Sequence, residues 1–140
     1  EKVPGWLYQV KMGATTIWEN WDGLLPNGQP KDFYMNSFNH YAYGAVGDWL
    51  FKTIAGIEID EKAPGYKHVV FKPQIGGGLT YVEAGHESEF GLIKIRWEIV
   101  GDAVTFDLSV PPNSEYSFIY LGKIIIGGSG SYRYKFNLPS

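Results

Sequence analysis

The feature that most constrains the fold of this chain is a change in the spacing of its apolar residues near Tyr66. Before that point, apolar residues recur every three or four positions in two segments, residues 4–13 and 36–54, as they do on one face of a helix. After it, apolar and polar residues alternate, most clearly in residues 92–99 and 104–110, as they do in a strand with one buried face. The sequence therefore predicts a helical part followed by a β part.

The helical part is expected to contain two helices joined by a loop. The first begins at Pro4 and ends at Gly13, since proline suits a first helical position and glycine a stop. The second is capped by Asn36 or Ser37 and runs to about Ile54. Two helices cannot bury their aromatic faces against each other alone, so we expect further structure to cover them. For the isolated chain, self-association through the exposed helical face is an alternative.

The β part is expected to form an antiparallel β-sandwich, because short strands separated by Gly, Pro and Asn turns are typical of that architecture. About seven strands are predicted, at residues 68–72, 79–87, 92–99, 104–110, 114–121, 123–126 and 131–138. Residues 60–65 form the natural linker. The predicted fold class is therefore α+β, with domains at residues 1–58 and 59–140.

Composition excludes several classes of function. The net charge is −3 without a basic stripe, so nucleic acid is not an expected partner. No apolar run approaches the roughly 18 residues that span a membrane. The chain has no cysteine, which excludes disulfides and thiolate metal sites. His68 and His86 lack acidic or histidine partners at metal-ligand spacing, so they are read as surface or hydrogen-bonded core residues, and no metal or cofactor is predicted.

The candidate functional residues lie in the helical part. Glu19 stands between Trp18 and Trp21, and His40 follows 21 residues later in an Asn-His-Tyr triplet. A carboxylate, an imidazole and flat indole faces suit a site that binds and cleaves sugars. The structural alternatives are a solvated or salt-bridged Glu19, a helix-capping His40, and core positions for both tryptophans.

Three ungapped stretches resemble one enzyme family. Residues 6–23 fit the pattern W-L-Y-x-V-x-x-G-A-T-T-I-W-E-x-W-x-G, residues 37–50 fit S-x-N-H-Y-A-Y-G-A-V-G-D-W-L, and residues 63–68 read A-P-G-Y-K-H. These stretches resemble the end of the catalytic domain of bacterial α-L-rhamnosidases, glycoside hydrolase family 78. The resemblance implies that the helices close an (α/α)6 barrel and that the β-sandwich is the carboxyl-terminal domain of such an enzyme.

The resemblance also implies roles for individual residues. Glu19 corresponds to the general base of an inverting hydrolysis of terminal α-L-rhamnosyl bonds, His40 to a sugar-contacting histidine, and Trp18 and Trp21 to residues lining the site. The general acid would lie in an upstream part of the catalytic domain, so the 140-residue chain alone is predicted to be inactive. The alternative is a non-catalytic β-sandwich that binds carbohydrate or supports a partner domain; a row of exposed aromatic residues on one sheet face would favour it.

Overall fold

The computed structural model describes residues 3–32 and 34–139. The chain divides into two compact units, Glu1–Gly47 and Asp48–Ser140. None of the helices in the described residues is long and apolar enough to cross a membrane.

The first unit begins with helix α1, Trp6–Lys11. The helix ends before Gly13, whose φ of 83° is accessible to glycine and costly for other residues. Tyr8 and Gln9 are buried, whereas Leu7 and Val10 are 65% and 68% exposed. One face of this helix is therefore packed within the unit, and an apolar face is left to solvent.

The second predicted helix starts later and is less regular than expected. A 3₁₀ turn spans Tyr41–Ala45, helix α2 spans Val46–Trp49, and a π-helical turn spans Leu50–Ala55. His40, with φ −124° and ψ 112°, is still extended. The predicted start at Asn36 or Ser37 is wrong because residues 35–40 pair with the segment before the loop. The end agrees with the prediction, since Gly56 closes the π-helical turn in a left-handed conformation.

Eight strands form the second unit in the part of the chain that the structure describes. They are β1 Ile57–Ile59, β2 His68–Phe71, β3 Tyr81–Ser88, β4 Gly91–Val100, β5 Ala103–Val110, β6 Glu115–Tyr120, β7 Lys123–Gly127 and β8 Gly130–Asn137. Strand β1 was not predicted, because three residues directly after a helical turn are too short to show a period of two. The other strands fall on the predicted segments.

The strands form two four-stranded sheets, in the orders β1-β2-β6-β7 and β3-β4-β5-β8. Neighbouring strands are antiparallel except β2 and β6, which pair in parallel with His68 opposite Glu115. This pairing joins chain segments on either side of the β3-β4-β5 meander, so the first sheet is built from both ends of the domain.

The two sheets pack face to face around an aromatic core. Trp97 and Phe106 of one sheet and Tyr116 and Phe118 of the other are at most 1% exposed. The ring centroids of Phe106 and Phe118 are 5.0 Å apart with planes at 60°, an edge-to-face arrangement that aromatic pairs favour. The indole N–H of Trp97 donates to the carbonyl of Ile54 over 3.0 Å, which fixes the π-helical turn to the sandwich. The predicted α+β fold class with a terminal β-sandwich is confirmed.

Candidate functional site

The candidate site is built where two segments of the first unit run side by side. Residues 16–20 lie before the turn-rich loop, and residues 35–40 lie after it. Besides a bond to the Glu19 carboxylate, the hydrogen bonds that join them are His40 N–H to Ile17 O at 2.8 Å, Glu19 N–H to Ser37 O at 2.8 Å, Asn20 Nδ2 to Met35 O at 2.8 Å, and Thr16 Oγ1 to Phe38 O. The pairing places Glu19 and His40 on adjacent segments although 21 residues separate them in sequence.

The carboxylate of Glu19 is oriented by the backbone of Ser37. Its Oε2 accepts a hydrogen bond from the Ser37 N–H at 2.8 Å, and the side chain is half-buried. The Ser37 carbonyl oxygen therefore accepts a hydrogen bond from the Glu19 N–H, and the Ser37 N–H donates one to the Glu19 carboxylate. Among the described residues the other carboxylate oxygen, Oε1, has no hydrogen-bond partner. One oxygen is fixed and the other is available to a ligand.

His40 caps the 3₁₀ turn that follows it. Its Nδ1 accepts from the Ala42 N–H at 3.4 Å, and its ring stacks on Tyr41 with centroids 6.0 Å apart and planes at 11°. An accepting Nδ1 assigns the proton of the neutral ring to Nε2. Within the described residues Nε2 has no partner, so it can donate to a ligand hydroxyl. The capping alternative and the binding hypothesis are thus compatible in geometry.

The two candidate tryptophans lie in different environments. Trp18 is 4% exposed and packs edge-to-face on Phe38, with centroids 5.1 Å apart. Trp21 is 38% exposed and forms an aromatic cluster with Trp6 and Tyr43, at centroid distances of 6.2 and 5.5 Å. Trp21 is therefore partly accessible to solvent, whereas Trp18 is buried against the segment that follows the loop.

The sequence did not identify the backbone of Ser37 as the partner of Glu19, nor the contact between Asn36 and Gly23 beside it. The Asn36 Nδ2 donates to the Gly23 carbonyl at 2.7 Å. A backbone donor leaves no mark on residue type, so only the fold reveals this bond.

Charged residues of the second unit form ion pairs on a sheet face. The Arg133 guanidinium donates to both oxygens of Asp107, at 2.5 and 3.1 Å, and holds the pKa of that carboxyl below its usual value. A hydrogen bond from Lys94 likewise lowers the pKa of Glu83. His68 Nε2 is 2.8 Å from the Ser117 hydroxyl. In residues 3–32 and 34–139 no three His, Asp or Glu side chains are grouped as metal ligands.

Family models match most of the chain. Residues 1–54 match the bacterial alpha-L-rhamnosidase 6 hairpin glycosidase domain, and residues 56–121 match the bacterial alpha-L-rhamnosidase C-terminal domain. Both models describe parts of bacterial α-L-rhamnosidases, which are glycoside hydrolases.

Individual relatives agree with the family models. An α-L-rhamnosidase of Streptomyces avermitilis is 43% identical over 114 residues, which cover 79% of this chain and 11% of the relative. One of Formosa agariphila is 38% identical over 117 residues, covering 81% of this chain and 12% of the relative. The chain thus spans about an eighth or less of the length of these relatives.

Solved structures of α-L-rhamnosidases share the fold. The native Aspergillus terreus enzyme superposes with a TM-score of 0.89 at 36% identity, over 96% of this chain and 16% of that one. The Streptomyces avermitilis enzyme complexed with L-rhamnose gives 0.84 at 34% identity, over 97% and 15%. The chain belongs to the α-L-rhamnosidase family, which confirms the predicted resemblance. The domain boundary at 58/59 and the site residues Glu19, His40, Trp18 and Trp21 stay predictions.

Proposed function

We propose that this chain is part of a longer, inverting α-L-rhamnosidase and that Glu19 is its general base. The observation that carries the proposal is the state of the Glu19 carboxylate, with Oε2 held by the Ser37 N–H and Oε1 without a partner among the described residues. A base needs a fixed orientation and one oxygen that can reach a water molecule.

The proposed reaction uses the free oxygen of Glu19 as the base. Glu19 Oε1 removes a proton from a water molecule as the water oxygen bonds to the anomeric carbon of the rhamnosyl unit. The bond from that carbon to the glycosidic oxygen breaks, and a carboxylic acid from another part of the longer protein protonates the leaving oxygen. In inverting enzymes the two carboxyl groups are about 6.5–9.5 Å apart, which leaves room for the water.

His40 and Trp21 are proposed to bind the sugar. The Nε2 of His40 donates to a ring hydroxyl near the reacting carbon, and the exposed indole face of Trp21 packs on sugar C–H groups. L-rhamnose is the ligand of one structural relative, which supports a terminal L-rhamnosyl unit as the group recognised here. Trp18 contributes through its packing on Phe38, which holds together the two segments that carry Glu19 and His40.

The remainder of a six-hairpin domain is the proposed partner of the first unit. Leu7 and Val10 expose an apolar stripe on α1, and burial of such a stripe against neighbouring helices is favourable by about 25 cal/mol per Å². In the isolated chain this apolar stripe is either exposed to water or buried by self-association of two chains. Size-exclusion chromatography distinguishes a monomer from a self-associated chain.

The decisive experiment replaces Glu19 by Gln in the full-length rhamnosidase. Loss of a general base lowers the turnover of an aryl α-L-rhamnoside by about 100- to 10,000-fold. The control Glu61→Gln, which changes an exposed carboxylate in the linker, should leave the turnover unchanged. Proton NMR during the first minutes reports the anomer released, and inversion gives β-L-rhamnose. Retained turnover in Glu19→Gln would remove Glu19 from the mechanism, and release of the α-anomer would exclude inversion.

The alternative, a carbohydrate-binding sandwich, has little support in the second unit. Among the described strand residues, Tyr81 is the one aromatic side chain that is largely exposed, at 47%. The Arg96 guanidinium lies over its ring, 5.2 Å from the centroid. A sugar-stacking row of aromatic side chains is therefore missing from the described sheet faces.

A further inference from the structure

We propose that Asn36 is a positioning residue for Glu19. The Asn36 side chain bonds to the Gly23 carbonyl and so holds the neighbouring Ser37 N–H in the position from which this N–H orients the Glu19 carboxylate. This inference rests on the proposed role of Glu19 as general base, and it adds a residue that contacts neither the sugar nor the water.

Ser37 and Glu19 are coupled by two hydrogen bonds. The Glu19 N–H donates to Ser37 O and the Ser37 N–H donates to Glu19 Oε2, both over 2.8 Å. A displacement of the Ser37 backbone therefore moves the Glu19 carboxylate and also disturbs the hydrogen bonding between residues 16–20 and 35–40. Misplacing a reacting group by about 1 Å can cost on the order of 100-fold in rate.

Asn36 packs closely against Gly23. Asn36 donates from Nδ2 to the Gly23 carbonyl at 2.7 Å, and Gly23 is buried. A Cβ at position 23 would lie 2.7 Å from Asn36 Oδ1 and 3.2 Å from Phe38 Cε1. Gly23 has no positive φ, so glycine is required here for space rather than for backbone conformation.

These contacts enclose Ser37 from both sides. Asn36 precedes Ser37 and bonds to Gly23. Phe38 follows Ser37, packs against Trp18, and has its ring edge next to Gly23. The position of the Ser37 N–H is thus fixed by its two sequence neighbours, Asn36 and Phe38. Both neighbours can approach residue 23 closely because glycine has no side chain.

Asn36 itself carries an energetic cost. Its Oδ1 is buried and has no hydrogen-bond partner within the described residues, and an unpaired buried acceptor is unfavourable. A smaller side chain at position 36 would avoid that cost. Asn36 therefore contributes something other than the best local stability, and the bond from Nδ2 to Gly23 is what it supplies.

The test is a double-mutant cycle in the full-length rhamnosidase with an aryl α-L-rhamnoside as substrate. Asn36→Ala is expected to lower kcat by about 10- to 100-fold with KM changed less than about threefold, because it misplaces the base and leaves the sugar contacts. In the Glu19→Gln background the same substitution should change the residual kcat less than about twofold. Residues that act through one group are non-additive in this way.

Two further variants complete the design. Asn27→Ala is the matched control and should leave kcat unchanged. Asn27 is an exposed asparagine of the loop between the two paired segments, and within the described residues its side chain bonds only to the Gln29 amide. Gly23→Ala approaches the same contact from the other side and should reproduce the loss, which keeps the test valid if Asn36→Ala folds poorly.

The outcomes separate the inference from the proposed function. Equal loss from Asn36→Ala in the wild-type and Glu19→Gln backgrounds would mean that Asn36 acts on folding alone, and the inference would be wrong. Full activity of both Asn36→Ala and Gly23→Ala would also refute it. Full activity of Glu19→Gln would instead refute the proposed base, whatever Asn36 does.

Discussion

Substituting Gly56 by Ala should destabilise the second unit far more than an ordinary glycine substitution. Gly56 is buried, has a φ of 81°, and ends the π-helical turn directly before β1. A Cβ at this position would lie 2.2 Å from the backbone nitrogen and 2.4 Å from the Cα of Pro73. The obstacle is backbone, so it cannot rotate away as a flexible side chain would.

The magnitude follows from two separate terms. A left-handed conformation costs alanine about 1–2 kcal/mol more than glycine, and forcing an extra carbon into a packed site costs about 1–3 kcal/mol. Moving the segments apart also strains the bond from Lys72 N–H to Gly56 O, at 2.8 Å. The expected loss is therefore about 2–5 kcal/mol, a large share of the 5–15 kcal/mol that stabilises a typical domain.

Guanidinium chloride unfolding of the 140-residue chain, followed by far-UV circular dichroism, measures the loss. The control is Gly101→Ala, because Gly101 has a φ of 64° but nothing within 4 Å of its Cβ position. It should lose only the conformational term, about 1–2 kcal/mol. If the two variants lose the same free energy of unfolding within about 0.5 kcal/mol, the steric argument for Gly56 fails.

Three further predictions concern the core, the site and the isolated chain. Burial and the Tyr134 hydroxyl raise the pKa of Tyr116 above its ordinary value. As pH rises, the unfolded chain therefore loses the Tyr116 proton before the folded chain does, and the free energy of unfolding decreases above about pH 10. Tyr116→Phe should make this decrease smaller, as measured by urea unfolding between about pH 8 and 11. His40→Ala in the full-length rhamnosidase should lower kcat and raise KM. His40→Asn keeps a capping acceptor, so full activity of this variant would show that His40 only caps the 3₁₀ turn. The purified 140-residue chain should release no L-rhamnose from p-nitrophenyl α-L-rhamnoside, because hydrolysis needs a proton donor as well as Glu19; turnover above that of a Glu19→Gln chain would contradict this.

Most of the sandwich could be predicted from sequence because alternation of apolar and polar residues directly reports which side chains face a core. In β4, Ile93, Ile95 and Trp97 are all buried, as their spacing requires. The partners of each strand could not be predicted in the same way. The parallel register of β2 and β6 depends on the packing of the two sheets, and neither strand contains a signal for it.

The helical part was harder to predict because its polar residues compete for two roles. Asn36 and Ser37 are good helix caps, but here the Asn36 amide donates to Gly23 and the Ser37 hydroxyl accepts from the Asn39 N–H at 3.2 Å. Such local bonds offer the backbone an alternative to a helix. Glu19 and His40 were identified by motif, whereas the bond that orients Glu19 was visible only in three dimensions.

The parallel pairing of β2 with β6 has a consequence for how the second unit folds. Strands β3, β4 and β5 form successive hairpins, so their contacts are local in sequence. These contacts can form as soon as residue 110 has been synthesised. The sheet β1-β2-β6-β7 must instead wait for a loop closure that brings residue 68 to residue 115, and contacts distant in sequence slow folding. During synthesis the aromatic face of the β3-β4-β5 meander is therefore exposed until β6 arrives. We expect the folding rate to be set by that closure, so that substitutions at the β2–β6 contact slow folding while those in the β3–β4 hairpin mainly speed unfolding.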